Sequence, residues 1–346
     1  MRFAKALHAV EVHAEGEQGT CYLGGVFEIP GATMREKLRH LNEVDDSLRR
    51  FLCFEPRGRP QSSANVVWPS NDPEAHAGFV ILQADRAHAM SGSNTICVVT
   101  ALLETGAVPM VEPVTEVVLE TAAGLIRTRA QCSGGRCERV TIAGVPSFVE
   151  DLDIGLDVPG LGRVTVDVAY GGCYYVLVDA AELGVSLDRE SARQVVERAT
   201  AVSMAANKSL RVQHPEIPEI DFISYVMVTG TDANGDLRGA TVLSGRVDRS
   251  PCGTGNSARL ACMCARGQAK VGDEYIARSL IDSEFIVGVT GLTSVGNRAA
   301  VLPSISGRGW VVGTRITAVD PTDPYPLGYV LSDIWGDEVG GAACVS

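Results

Sequence analysis

Short apolar runs broken by glycine, proline and aspartate dominate the chain. Val66-Val67-Trp68, Gly78-Phe79-Val80-Ile81-Leu82, Val117-Val118-Leu119 and Leu125-Ile126-Arg127-Thr128 read as strands. So do Val164-Thr165-Val166-Asp167-Val168, Tyr174-Tyr175-Val176-Leu177-Val178 and Ile223-Ser224-Tyr225-Val226-Met227-Val228. A helix is predicted from Thr33 to Val44, after Pro30-Gly31-Ala32, with Glu36, Lys37 and Arg39 on its polar face. A longer amphipathic helix is predicted from Asp188 to Lys208, with Val195, Val196, Ala199, Val202 and Met204 as its apolar positions. Two helices of small residues follow Ser91 and Cys252. Strands and helices do not alternate strictly, and no GxGxxG follows a first strand, so a dinucleotide-binding domain is not expected. A loop at Asp157-Val158-Pro159-Gly160 precedes a fresh run of strands and suggests a change of domain.

Length supports that division. The chain has 346 residues, and single cores stop growing at roughly 250–300. We expect a first domain over 1–160, completed by 322–346, and a second over 161–321. Hydrophobic residues make up 45%, enough for a core and too many for general disorder. The net charge of −12 argues against a nucleic-acid partner, which needs a basic face. No run approaches the ~18 apolar residues of a membrane helix. The first residues carry no hydrophobic signal core, so a cytoplasmic protein is expected. The ten cysteines are then free thiols. Cys262 and Cys264, and Cys132 and Cys137, do not have zinc-site spacing, so no metal is expected.

The chemistry lies in a weak internal repeat. Met90-Ser91-Gly92-Ser93-Asn94-Thr95 and Pro251-Cys252-Gly253-Thr254-Gly255-Asn256-Ser257 each run into an apolar helix. Ser91 and Cys252 are 161 positions apart, close to half the chain, and a duplicated domain is the simplest reading. Glycine-rich turns into helices present free N–H groups and positive potential, which hold a carboxylate without lysine or arginine. A cysteine at such a start is expected to have its pKa lowered toward neutrality. The bland alternative is that Ser91 and Asn256 are ordinary helix caps.

Asp248-Arg249-Ser250-Pro251-Cys252-Gly253-Thr254-Gly255 resembles the second active-site motif of the proline racemase family. Met90-Ser91-Gly92-Ser93 sits where that family has Met-Cys-Gly-His. Gly24-Gly25 with Ile29-Pro30-Gly31, Glu55-Pro56-Arg57-Gly58, Tyr170-Gly171-Gly172, Asp323-Pro324 and Gly328-Tyr329 extend the resemblance over nearly the whole chain. The resemblance implies an α/β (α+β) fold of two similar domains. Each is a curved mixed sheet around a central helix, as in diaminopimelate epimerase, with the active site in the cleft between them. It also implies a cofactor-independent enzyme for a small imino acid, monomeric or homodimeric. Ser91 and Cys252 would be catalytic. Asp248 would take the ring nitrogen, and Gly92, Ser93, Gly253 and Thr254 would give N–H groups to the carboxylate.

Three departures matter. Ser91 replaces the first family cysteine, Ser93 a histidine and Asn94 a glycine. A serine hydroxyl is a far weaker base than a thiolate, which disfavours symmetric two-thiol racemisation. The leading expectation is therefore dehydration of trans-3-hydroxy-L-proline to Δ1-pyrroline-2-carboxylate. Its α-hydrogen and leaving hydroxyl share one face, so one well-placed group suffices. Family dehydratases, however, commonly keep the first cysteine and carry threonine at the second position, the reverse of this chain. The alternative is a 4-hydroxyproline 2-epimerase. A third reading, from another class, is an imino-acid binding protein without catalysis. His13 is expected to be structural, His88 either to tune Ser91 or to lie in a surface loop, Arg57 and Arg59 to form ion pairs, and Trp68 and Trp310 to belong to the core.

Overall fold

The computed structural model describes residues 5–25, 28–218, 220–243, 245–331 and 333–335. The chain divides into two compact units. The first comprises the described residues of 1–142 and 308–346, and the second comprises 143–307. The sequence expectation put these limits at 160/161 and 321/322. The loop near Pro159 is instead a hairpin turn, with Gly160 at φ 80°, joining Ser147–Val158 to Gly162–Tyr170. Those two strands pair along their length, so they stay in one unit. Of the expected C-terminal segment, 336–346 and Ser332 lie outside the described residues.

In the first unit, Lys5–Ala14 and Glu17–Gly24 form a hairpin, and Gly309–Val319 pairs antiparallel with the first of them. The sheet continues from Glu17–Gly24 through Ala64–Trp68 (parallel), Ala77–Leu82 (antiparallel), Val114–Thr121 (parallel), Gly124–Ser133 and Arg136–Ala143 (both antiparallel). The helix Gly92–Glu104 packs on the hairpin and on Gly309–Val319, and every residue from Gly92 to Leu103 is buried. Its Ile, Val and Thr are indifferent helix formers. A helix apolar on all sides is stable only as a core element. Two outer helices, Met34–Glu43 and Ser47–Cys53, join a second core layer with Leu7, Tyr22, Met34, Leu41, Leu52, Val80 and Trp335.

The predicted helix after Pro30 is thus present. Its start is set locally by a capping box in which Thr33 accepts from the Glu36 N–H and Glu36 accepts from the Thr33 N–H. Three family-like segments, remote in sequence, meet beside it. Glu55 and Tyr329 exchange backbone hydrogen bonds (3.1 and 2.9 Å), and the Trp335 indole donates to Glu55 (2.9 Å). Arg57 binds the Asp323 carboxylate (3.3 Å) and the carbonyls of Tyr325 and Pro326.

The second unit repeats this order. Gly162–Tyr170 pairs antiparallel with Ser147–Val158 and Tyr174–Asp179. Ile223–Thr231 follows in parallel, Leu237–Leu243 antiparallel, Glu274–Arg278 parallel, then Glu284–Val295 and Arg298–Gly307 antiparallel. Arg298–Gly307 returns to pair with Ser147–Val158, so this sheet closes on itself. The helix Gly253–Ala265 lies against the inner face, and Ala192–Ser209 covers the outside. The same sequence of parallel and antiparallel pairings in both units, each with one 13-residue central helix, bears out the duplicated architecture. No helix among the described residues is long and apolar enough to cross a membrane.

Candidate active site

In each unit a two-residue strand leads into the central helix: Ala87–His88 before Gly92, and Arg246–Val247 before Gly253. Ser91 is the N-cap of the first helix, with extended backbone (φ −154°, ψ 131°). Its Oγ accepts from the Asn94 side-chain amide (3.0 Å) and, at 3.5 Å, from the Asn94 N–H. The Ser93 hydroxyl stands 3.3 Å from the same oxygen. The cap reading of Ser91 is thus correct as far as it goes. The N–H groups of Gly92 and Ser93 precede the first intrahelical bond, from Thr95 to Ser91 (3.0 Å), and keep their donors for something else.

Cys252 caps the second helix under strain, at φ 65° and ψ 106°. A non-glycine residue with positive φ persists only where its surroundings over-determine it. Here they do. The Asn256 side-chain amide donates to the carbonyls of Pro251 (2.7 Å) and Cys252 (2.9 Å). Asn256 is therefore a clamp inside the first helical turn, and the cap position belongs to Cys252. On the other side, the Cys252 N–H donates to Ser250 Oγ (3.1 Å), and Ser250 donates its hydroxyl and N–H to Asp248 Oδ1 (2.9 and 2.8 Å). Asp248 thereby holds the cysteine turn. Gly171 lets the preceding strand turn touch the helix, since a Cβ there would lie 2.1 Å from Thr254 O and 2.5 Å from Ala258 N.

The Cys252 sulfur is enclosed, with 5% of the residue exposed. The Tyr175 hydroxyl lies 3.5 Å from it and 2.7 Å from Thr254 Oγ1. Burial pushes the Cys252 thiol up to about 11, and the Asp248 carboxylate adds to the rise. The neighbouring Thr241 and Tyr175 hydroxyls and the Gly255 N–H pull it partly back. The expected fall toward neutrality is not found. Desolvation of a nearly enclosed sulfur, beside a negative charge, outweighs the helix start. Burial also raises Tyr175 well above its usual range, so its hydroxyl stays protonated and able to donate.

Each unit thus gathers its own predicted residues: Ser91, Gly92 and Ser93 in one, Asp248, Cys252, Gly253 and Thr254 in the other. Sequence reading missed Asn94, Tyr175, Thr241 and Ser250 as neighbours of the two nucleophiles. Asn94 and Ser250 were visible inside the motifs. Tyr175 and Thr241 come from distant strands, and no local signal marks them. His13 stacks on Trp310 (5.0 Å between centroids) and accepts from the Gly16 N–H (3.1 Å). His88 pairs with Asp85 (3.1 Å). Among the described residues no group of three or more His, Cys, Asp or Glu is placed to hold a metal ion.

The arrangement supplies one weakly acidic hydrogen at each helix start, beside N–H groups that have no partner within the helix, which is the equipment for moving a proton next to a bound carboxylate. Comparison with known proteins bears on which reaction that is. A family model described as proline racemase matches residues 9–330. The chain is 49% identical over 343 residues to a 4-hydroxyproline 2-epimerase of Agrobacterium fabrum, covering 98% of this chain and 99% of that one. Its structure is similar to a crystal structure of a hydroxyproline epimerase from Agrobacterium vitis with bound trans-4-hydroxy-L-proline. The TM-score is 0.93 at 47% identity, covering 98% of this chain and 99% of that one. It is also similar to a probable proline racemase from Agrobacterium radiobacter with bound carbonate, at TM-score 0.92 and 48% identity, covering 97% and 99% of the two chains.

Proposed function

The chain belongs to the proline racemase family, and from that membership we propose that it is a 4-hydroxyproline 2-epimerase, converting trans-4-hydroxy-L-proline to cis-4-hydroxy-D-proline. The observation that carries this is 49% identity, over 98% of the chain, to a protein of that name. The relatives favour this reading over the dehydration of trans-3-hydroxy-L-proline that the Ser91 replacement first suggested.

Epimerisation needs one group to take the α-proton and another to return a proton to the opposite face. Ser91 and Cys252 are assigned these two tasks. The electron pair of the broken C–H bond passes into the carboxylate, where the N–H groups of Gly92, Ser93, Gly253 and Thr254 hold it. Asp248 takes the positively charged ring nitrogen. That contact has a second effect: a cation beside Asp248 offsets the charge that helps hold the Cys252 thiol protonated. Substrate then brings its own activation of the cysteine. No cofactor enters the scheme.

The test is incubation of the purified protein with trans-4-hydroxy-L-proline in D2O. Loss of the α-hydrogen signal and appearance of the cis-D isomer on chiral chromatography are expected. A parallel incubation with trans-3-hydroxy-L-proline, coupled to a reductase for Δ1-pyrroline-2-carboxylate, reads the dehydratase alternative. Faster pyrroline formation than epimerisation would reverse our order. Binding of either compound without α-exchange would leave an imino-acid binding protein.

A further inference from the structure

Serine is a poor substitute for cysteine in proton transfer, because its alkoxide is far less stable than a thiolate. The surroundings of Ser91 address that deficit. Three groups converge on Ser91 Oγ: the Asn94 side-chain amide at 3.0 Å and the Asn94 N–H at 3.5 Å donate to it, and the Ser93 hydroxyl at 3.3 Å can donate or accept. A neutral serine oxygen has two lone pairs and an alkoxide has three. With the hydroxyl hydrogen in place, Asn94 fills both lone pairs. With it gone, the Ser93 hydroxyl fills the third. The number of donors matches the charged form.

The internal repeat shows that this is particular to the serine. At the equivalent place beside Cys252 stands Gly255, where a Cβ would lie 3.2 Å from Cys252 Sγ and 2.9 Å from Met227 Sδ. The residue equivalent to Ser93 is Thr254, whose hydroxyl is 3.9 Å from the sulfur and bonds Tyr175 instead, at 2.7 Å. The larger sulfur is given room, and the smaller oxygen is given donors. Asn94 is also held at a cost. It is 2% exposed, and its Oδ1 is buried without a hydrogen-bond partner. A buried amide left half-satisfied is destabilising and calls for a reason.

We propose that Asn94 and Ser93 are positioning residues that form a three-donor cradle for the Ser91 alkoxide, and that this cradle lets serine exchange protons at the substrate α-carbon. In the step that uses it, the O–H bond of Ser91 breaks as a C–H bond forms, and the electron pair left on oxygen is taken up by the three donors. The reverse step returns the proton to Oγ. This rests on the epimerase reading for the identity of the substrate, but not for the existence of the cradle.

The experiment is a double-mutant cycle with α-deuterium exchange and epimerisation of trans-4-hydroxy-L-proline as readouts. In the Ser91 enzyme, Asn94→Ala and Asn94→Asp should each lower kcat about 10-fold to 100-fold, the scale of losing one preorganised donor. KM should change little, and Asn94→Asp, which keeps the shape and loses the donor, should be no better than alanine. The alkaline limb of the pH profile should move upward. In a Ser91→Cys enzyme, whose thiolate needs no such help, adding Asn94→Ala should cost less than about twofold or improve turnover. Equal losses in both backgrounds, or none in the serine background, would overturn the cradle. Side-chain 15N NMR of Asn94 gives a readout that needs no turnover: the amide signals should shift and lose exchange protection in Ser91→Ala. An unmoved amide would overturn the cradle even if epimerisation is confirmed. A shifted amide in a protein without α-exchange would sustain the hydrogen bond while refuting the epimerase reading.

Discussion

Replacing Asp248 by asparagine should lower the pKa of the Cys252 thiol while leaving the turn that carries it intact. Asparagine keeps Oδ1, and with it the acceptor for the Ser250 hydroxyl and N–H (2.9 and 2.8 Å). What is lost is the negative charge, the second-largest cause of the rise to about 11, after burial. Burial remains, so the new value should fall between the ordinary 9.0 and about 11. At pH 9 a thiol at about 11 is roughly 1% ionised and one at about 10 is roughly 10% ionised, so thiolate should increase several-fold. The assay is thiolate absorbance near 240 nm across pH, taken as the difference from Cys252→Ala to subtract the other cysteines. Stability gives a second readout. Because the folded pKa is raised, stability is full below the unfolded value near 9 and is lost as pH climbs toward about 11. That interval is worth about 3 kcal/mol for the wild-type thiol, and less in Asp248→Asn. Two results would refute the reasoning. An unchanged or higher midpoint in the variant would mean that Asp248 does not act on the sulfur by charge. A wild-type midpoint near neutrality would mean that the helix start, not burial, controls it.

Tyr175→Phe removes a hydroxyl 3.5 Å from Cys252 Sγ and 2.7 Å from Thr254 Oγ1. Since that contact lowers the thiol pKa, the same absorbance titration should show a higher midpoint, with a stability loss of about 1 kcal/mol by denaturant. Asn256→Ala frees the carbonyls of Pro251 and Cys252 beside the positive-φ cysteine, and chemical denaturation should show a loss of about 1–3 kcal/mol together with lower kcat. Gly171→Ala forces a Cβ against backbone atoms 2.1 and 2.5 Å away. It should lower stability by about 1–3 kcal/mol in a melt, the scale of overpacking, and displace the Cys252 helix enough to slow α-deuterium exchange of trans-4-hydroxy-L-proline.

Elements whose cause is local were legible. Pro30-Gly31-Ala32 and the polar face of Glu36, Lys37 and Arg39 announce the helix Met34–Glu43, and the apolar runs within Ala64–Trp68 and Ala77–Leu82 announce those strands. The strand Ser147–Val158 is not legible, because the exposed charges of Asp151, Asp153 and Asp157 interrupt its apolar positions and only its partners make it a strand. The loop at Pro159 was visible as a turn. Whether a turn joins two strands or two domains depends on what pairs across it, and that information is not local.

The two halves of the candidate site divide in the same way. By itself the sequence determined the repeat, the two glycine turns, the identity of Ser91 and Cys252, and the family, since each rests on residue types at short spacing. Only the tertiary structure decided that Cys252 is strained, enclosed and pushed up to about 11. It also decided that Tyr175, from a strand 77 positions away, reaches the sulfur. A helix start acts through a few adjacent peptides and can be read from the chain. Desolvation depends on every atom that packs around the sulfur, and those atoms are assembled only by the fold.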